Sequence, residues 1–127
     1  MSGPSAIDLD RMRALVEMVG DDPAFVDELV DAYLEDAPRQ LAAARAAIEA
    51  GTAQDLVRPA HTLKSNSANV GAAALGALCR GLEDQARAGT TEGAAARLGA
   101  VELEYARVVD ALGALRATRW GTAEGAA

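Results

Sequence analysis

The chain carries a single histidine, His61, in the run Ala60-His61-Thr62-Leu63-Lys64-Ser65-Asn66-Ser67-Ala68-Asn69-Val70-Gly71. Residues three and four apart share one face of a helix, so His61, Lys64, Ser65 and Ala68 form one stripe, with an ammonium one turn from an imidazole. A neutral imidazole, whose unperturbed pKa is about 6.5, is a nucleophile near neutral pH. A phosphoryl group added to it brings anionic oxygens that need a counter-charge, and Lys64 is placed to supply one. The small Ser65 and Ala68 leave room for a second protein to approach the ring. A separate stripe, Leu56, Ala60, Leu63, Ser67 and Val70, has the alternating four and three spacing of a bundle seam. His61 therefore belongs at the edge of the core.

Other chemistry fails on inventory. A di-metal bundle site needs Glu-x-x-His pairs on facing helices, and the residue three before His61 is Arg58. Neither a G-x-x-x-x-G-K-[ST] phosphate loop nor a G-x-G-x-x-G next to a strand occurs. ATP binding and self-phosphorylation are not expected, so the chain is not an enzyme on its own and needs a phosphoryl donor and an acceptor. Cys79 stands alone, which leaves no internal disulfide or cysteine metal cluster and suits a reducing compartment. Among Leu75, Leu78 and Leu82 it reads as a small buried hydrophobe.

Composition sets the class. At 127 residues, with 50% hydrophobic but only 3% aromatic residues, the chain is one domain whose core is built from Leu, Val and Ala. Twelve basic against nineteen acidic residues give a net charge of -7, which disfavours nucleic acid and anionic membranes as partners. No apolar run is long enough for a membrane span, and no signal-peptide pattern opens the chain. A cytoplasmic protein with protein partners is expected.

The elements that position the stripe are helices. Residues 1–6 read as a flexible lead, followed by a short helix from about Asp8 to Val19 carrying Leu9, Met12, Leu15, Val16 and Val19, stopped at Gly20. Asp21-Asp22-Pro23 starts the second helix, with an aspartate as N-cap and proline in the first turn. That helix runs to about Ala50, with Phe25, Leu29, Val30, Tyr33, Leu34, Ala37, Leu41, Ala44 and Ile48 along one side. Pro38 either kinks it or divides it at Ala37. Gly51-Thr52 opens a third helix ending near Asn69, in which Pro59 marks either a bend or the true start. A fourth spans about Ala72 to Ala88. A fifth begins at Thr90-Thr91-Glu92 and carries Leu98, Val101, Tyr105, Val108, Leu112 and Leu115. The tail 118–127 loses periodicity and is expected to be disordered, with Trp120 either free or resting on the bundle.

Short connections between long helices predict an all-α fold over residues 7–117, an antiparallel up-and-down four-helix bundle with the short N-terminal helix across one end. The fold-back at Gly71 brings Glu83 level with His61. A carboxylate there that accepts the Nδ1 proton fixes the ring and frees Nε2. The competing assignment pairs Glu83 with Arg80 or Arg87 at helical spacing.

The stretch Ala60 to Gly71 resembles the phosphoacceptor segment of the histidine-containing phosphotransfer (HPt) domain, A-H-x-L-K-G-x-x-x-x-x-G. The similarity continues through Leu75, Leu78, Cys79, Leu82 and Glu83, as L-x-x-L-C-x-x-L-E, and upstream through Phe25 to Pro38 and Leu41, covering residues 7–115. Ser65 stands where the family most often has glycine; it is small and adds a hydroxyl. The resemblance implies a phosphorelay intermediate of two-component signalling, in which His61 exchanges a phosphoryl group with receiver-domain aspartates. Lys64 would stabilise the phosphoryl group, and Glu83 would orient the imidazole, since the family commonly has Glu or Gln there. The chain would bind no cofactor itself; Mg²⁺ would come with the receiver, because the bundle offers no carboxylate cage around His61. Response-regulator receivers are the implied partners, with a hybrid histidine kinase as a further candidate. A monomer is favoured, because a dimer covering the stripe would block transfer. The expected interface is Lys64, Ser65 and Ala68, flanked by Met12 and Val16 of the first helix as an apolar patch. The alternative function is a helical adaptor that binds a receiver or kinase without phosphotransfer, separated from the first by the absence of acid-labile phosphate on His61.

Overall fold

Aspartate side chains start the first two helices of the computed structural model, which describes residues 6–121. Asp8 accepts from the amides of Asp10 (3.0 Å) and Arg11 (3.3 Å) at the head of α1 (Leu9–Met18). Asp22 accepts from Ala24 (2.9 Å) at the head of α2 (Pro23–Ala50), with Pro23 in the first turn. In both cases a carboxylate satisfies amides that the first helical turn leaves unpaired. α2 passes through Pro38 and α3 (Ala53–Asn69) through Pro59 without a break. α4 (Ala73–Arg87) and α5 (Ala94–Ala117) complete the set, and no strand occurs among the described residues. α5 starts later than the Thr90-Thr91-Glu92 signal predicts. The Thr90 hydroxyl takes the amide of Glu92 at 3.0 Å, a local turn that competes with helix, and Gly93 then enters α5 at φ 76°.

Each long helix packs on its chain neighbour, and α5 returns to α2, which closes the antiparallel four-helix bundle. α1 covers the end where α3 gives way to α4: the Asp8 amide donates to the Gly71 carbonyl at 2.7 Å. Leu56, Ala60, Leu63, Ser67 and Val70 are all buried, as their spacing predicts. The one polar member of that stripe is satisfied, because Ser67 Oγ lies 2.9 Å from the buried Tyr33 hydroxyl, and a buried hydroxyl needs such a partner.

Three assignments of face are corrected. Met12 and Val16, expected at a partner surface, are 2% and 5% exposed; α1 turns its Met12, Leu15 and Val16 side onto the bundle end and leaves Leu9 and Met18 in solvent. On α2 the buried line is Val26, Val30, Tyr33 and Ala37, while Phe25 and Leu29 are exposed. Both lines are apolar and differ by one residue of rotation, so spacing does not choose between them. Leu78 on α4 is also exposed, unlike its neighbours Leu75, Cys79 and Leu82. Cys79 is fully buried, and burial pushes its thiol up to about 12, which keeps it unreactive.

The expected disorder from Thr118 onward does not extend through its first residues. Arg119–Gly121 form a 3₁₀ turn whose Trp120 is 4% exposed. Of the expected flexible lead, Ala6 is buried; residues 1–5 and 122–127 lie outside the described residues.

The junction at Gly71 gives a stability prediction. Gly71 and Gly51 both take left-handed φ, 82° and 70°, where a side chain costs about 1–2 kcal/mol. Only at Gly71 would an added Cβ also meet backbone, 3.2 Å from the Asp8 oxygen and 3.4 Å from the Met12 amide. Gly71→Ala is therefore expected to lower the melting temperature more than Gly51→Ala does. Equal losses would show that α1 does not press on this turn.

Candidate functional site

The site is built by the antiparallel pair α3 and α4, joined by a turn in which the Ala72 amide donates to the Ser67 carbonyl at 2.8 Å. The helices run close together at Gly76, where a Cβ would lie 3.5 Å from the Lys64 carbonyl oxygen. Two turns further along α4, Glu83 points back at α3. Its carboxylate is 4% exposed, and three cationic or hydrogen-bonding groups converge on it. His61 Nδ1 lies 3.0 Å from Oε2. Lys64 Nζ lies 2.7 Å from Oε1. Arg87 donates to Oε2 from Nε at 2.9 Å and from Nη2 at 2.7 Å.

These contacts fix the protonation state. Burial alone raises the pKa of a carboxyl group, but contacts from Lys64, Arg87 and His61 outweigh it and hold Glu83 down at about 2. An ionised carboxylate only accepts hydrogen bonds. Nδ1 of a neutral His61 must therefore carry the proton, and the lone pair resides on Nε2, across the ring from Glu83. The His61 side chain is 52% exposed, so that nitrogen belongs to the open side of the site. Lys64 and Arg87 set two positive charges against the single charge of Glu83, which leaves a local excess of positive charge in a chain of net charge -7.

Two grooves flank α3. One, polar, runs between α3 and α4 and is lined by Lys64, Ser65, Ala68, Arg80, Glu83 and Arg87, with Arg11 of α1 at its end. Ser65 and Ala68 are half-buried along it, so their small size leaves the groove open. The other, apolar, lies between α1, α2 and α3 and is lined by Leu15, Met18, Leu29, Ala32, Tyr33, Asn66 and Val70. Met18 and Leu29 are exposed there, where Met12 and Val16 are not.

The structure thus brings together His61, Lys64 and Glu83 on one side of the α3–α4 pair, with Ser65 and Ala68 along the adjoining groove. The two sequence-level assignments for Glu83 are compatible, since Oε2 serves His61 and Arg87 at once. Arg87 is the residue that sequence reasoning left out of the site. Its signal was the four-residue spacing from Glu83, which an ordinary surface ion pair shares. Among the described residues no group of His, Cys, Asp and Glu is arranged to hold a metal ion.

Acid titration checks the carboxylate. A group whose pKa is depressed in the folded state contributes stability that is complete above its unfolded pKa and is lost as the pH falls through its folded one. For Glu83 that window runs from the ordinary carboxylate value of 4.5 down to about 2. Glu83→Gln is expected to flatten the fall in stability across this window, measured as denaturation midpoint against pH. Parallel curves for the two proteins would show that the carboxylate is not held ionised by its neighbours.

Known proteins share the sequence pattern and the fold of this chain. The family model of the Hpt domain matches residues 28–117. The fold is similar to that of histidine-containing phosphotransfer protein B (HptB) from Pseudomonas aeruginosa PAO1, with 34% sequence identity, a TM-score of 0.73, and coverage of 85% of this chain and 92% of that one. It is also similar to the histidine-containing phosphotransfer protein MtHPt2 from Medicago truncatula, with 25% identity, a TM-score of 0.76, and coverage of 87% and 77%. No curated protein sequence matches the chain. With the family match spanning most of the chain, and a lone histidine oriented by a buried carboxylate within it, the protein belongs to the Hpt domain family, whose members carry phosphoryl groups on histidine in two-component phosphorelays.

Proposed function

We propose that His61 Nε2 is the phosphoacceptor, and that this chain exchanges the group with receiver-domain aspartates. The observation that carries this assignment is the contact of His61 Nδ1 with a carboxylate that Lys64 and Arg87 keep ionised. In the forward step the Nε2 lone pair attacks the phosphorus of a receiver's aspartyl phosphate. A P–N bond forms, the P–O bond to the aspartyl carbonyl carbon's oxygen breaks, and the aspartate leaves as a carboxylate. The Nδ1 proton stays in place, so the phosphorylated ring is cationic, and Glu83 balances its charge. The reverse step passes the group to a second receiver.

Lys64 and Arg87 divide the electrostatic work. Arg87 holds Glu83 through two hydrogen bonds to Oε2. Lys64, on the same stripe as His61, turns from Oε1 toward the phosphoryl oxygens when they arrive. The bundle offers no carboxylate cage around His61, so the Mg²⁺ that neutralises phosphoryl charge is brought by the receiver. The receiver docks over Lys64, Ser65 and Ala68, with Met18 and Leu29 as the apolar flank in place of the buried Met12 and Val16. A hybrid histidine kinase bearing a receiver is a candidate donor, and the chain itself supplies no ATP site. The protein acts as a monomer, since a partner copy over the stripe would exclude the receiver. The cytoplasm is the proposed compartment, where a lone thiol stays reduced; no helix among the described residues is long and apolar enough to cross a membrane.

Incubation with a phosphorylated receiver tests the assignment. Wild-type protein is expected to gain acid-labile, alkali-stable phosphate, and His61→Gln none, with helicity and melting preserved. Labelling that survives in His61→Gln would sink the assignment, and receiver binding without labelling of the wild type would favour the adaptor. Lys64→Ala is expected to slow transfer roughly ten- to a hundredfold, because a charge-assisted contact is worth about 1.5–3 kcal/mol. An unchanged rate would confine Lys64 to its ion pair with Glu83.

A further inference from the structure

The chain has one tryptophan among four aromatic residues, and it lies in the last turn before the described residues end. Trp120 is buried, and its Nε1 donates to Asp27 Oδ1 of α2 at 2.8 Å. The Arg116 guanidinium stands over the indole, 5.6 Å from its centroid, and pairs with Asp31 at 2.6 Å. Arg119 Nη1 approaches Asp27 Oδ2 at 3.7 Å. The backbone bends sharply to allow this. Arg119 and Trp120 take φ of 54° and 60° in succession, a left-handed conformation that residues with side chains rarely adopt and that persists only where surrounding contacts over-determine it. The turn packs against α1, α2 and α5 together.

α1 is held by the packing of Met12, Leu15 and Val16 on the bundle end and by its short link to α2, and the Trp120 turn adds a further contact from the C-terminal segment. Among the described residues, the backbone tie of α1 to the α3–α4 turn is the hydrogen bond from Asp8 to Gly71 at its N-terminal end. Its C-terminal half supplies Leu15 and Met18, one wall of the apolar groove whose other walls carry Leu29 and Tyr33 of α2 and Val70 at the end of α3. The width of that groove therefore depends on where α1 sits.

We propose that Trp120 is a positioning residue: it straps the C-terminal half of α1 to α2 and so sets the shape of the groove on which a partner docks, without touching the chemistry at His61. The link to docking rests on the receiver surface proposed above; the strap itself does not. Burial of the indole supplies the hold, and the Nε1–Asp27 hydrogen bond fixes its direction, since a buried N–H requires an acceptor.

Hydrogen exchange and phosphotransfer on the full chain test this together. In Trp120→Ala, amides of residues 12–18 are expected to exchange faster by about tenfold or more while those of α3 and α4 keep their rates, the pattern of a local opening. KM for a phosphorylated receiver should rise by about tenfold with kcat unchanged. Labelling of His61 by phosphoramidate, a small donor that needs no docking surface, should stay the same. Trp120→Phe, which keeps an aromatic ring but loses the N–H, should shift both readouts in the same direction by less. Unchanged exchange in α1 would overturn the strap, and so would equal loosening of α3 and α4, which would make Trp120 a general core residue. Faster α1 exchange with an unchanged KM would overturn its role in docking. If the wild type accepts phosphate from phosphoramidate but from no receiver, the receiver reading fails, and α1 exchange alone decides the strap.

Discussion

A carboxylate removed from water must be matched by positive charge or lose its own, and Glu83 is the place where this protein meets that demand. Its partners come from two helices: His61 and Lys64 from α3, and Arg87 from its own α4. One constraint thereby does several things. It ties α3 to α4 at the candidate site, determines which imidazole nitrogen holds the proton, and leaves an excess of positive charge beside the ring. The low pKa of Glu83 follows from the same contacts, so the orientation of His61 is maintained across the whole neutral range.

The bundle serves this arrangement by rigidity. Every residue of the cluster is on a helix, and the helices are fixed by a tight turn at Gly71 and by a seam running from Leu56 to Val70. An imidazole on such a support is oriented in advance, and sites on helices are held more precisely than sites on loops. The half-exposed ring needs no lid to open. Two surfaces flank it, one groove polar and rich in Lys and Arg, the other apolar.

Much of this was legible in the sequence because it depends on local periodicity and capping. The α3 seam, the aspartate caps at Asp8 and Asp22, and the fold-back that brings Glu83 to His61 all follow from spacing and turn chemistry. What was not legible depends on which of two similar faces meets the core. Phe25 and Leu29 offer α2 as good an apolar line as Val26 and Val30, and only the packing of the other helices decides. Met12 and Val16 looked surplus on a short helix because the apolar bundle end beneath them, shared with Trp120, is assembled from segments far apart in the chain. Trp120 was left open for the same reason: its acceptor, Asp27, is 93 residues away. Arg87 carried a visible signal, but a four-residue spacing does not distinguish a surface ion pair from one that holds a buried carboxylate.

The claim at the centre is that Glu83 puts the proton of His61 on Nδ1 and presents Nε2 to the phosphoryl donor. Nitrogen-15 NMR of the imidazole measures this directly, first in the free protein in mildly alkaline solution and then after phosphorylation. The account predicts an Nδ1–H tautomer in the free protein and a phosphorus atom bonded to Nε2 in the phosphorylated one. A dominant Nε2–H tautomer, or phosphate on Nδ1, would contradict it.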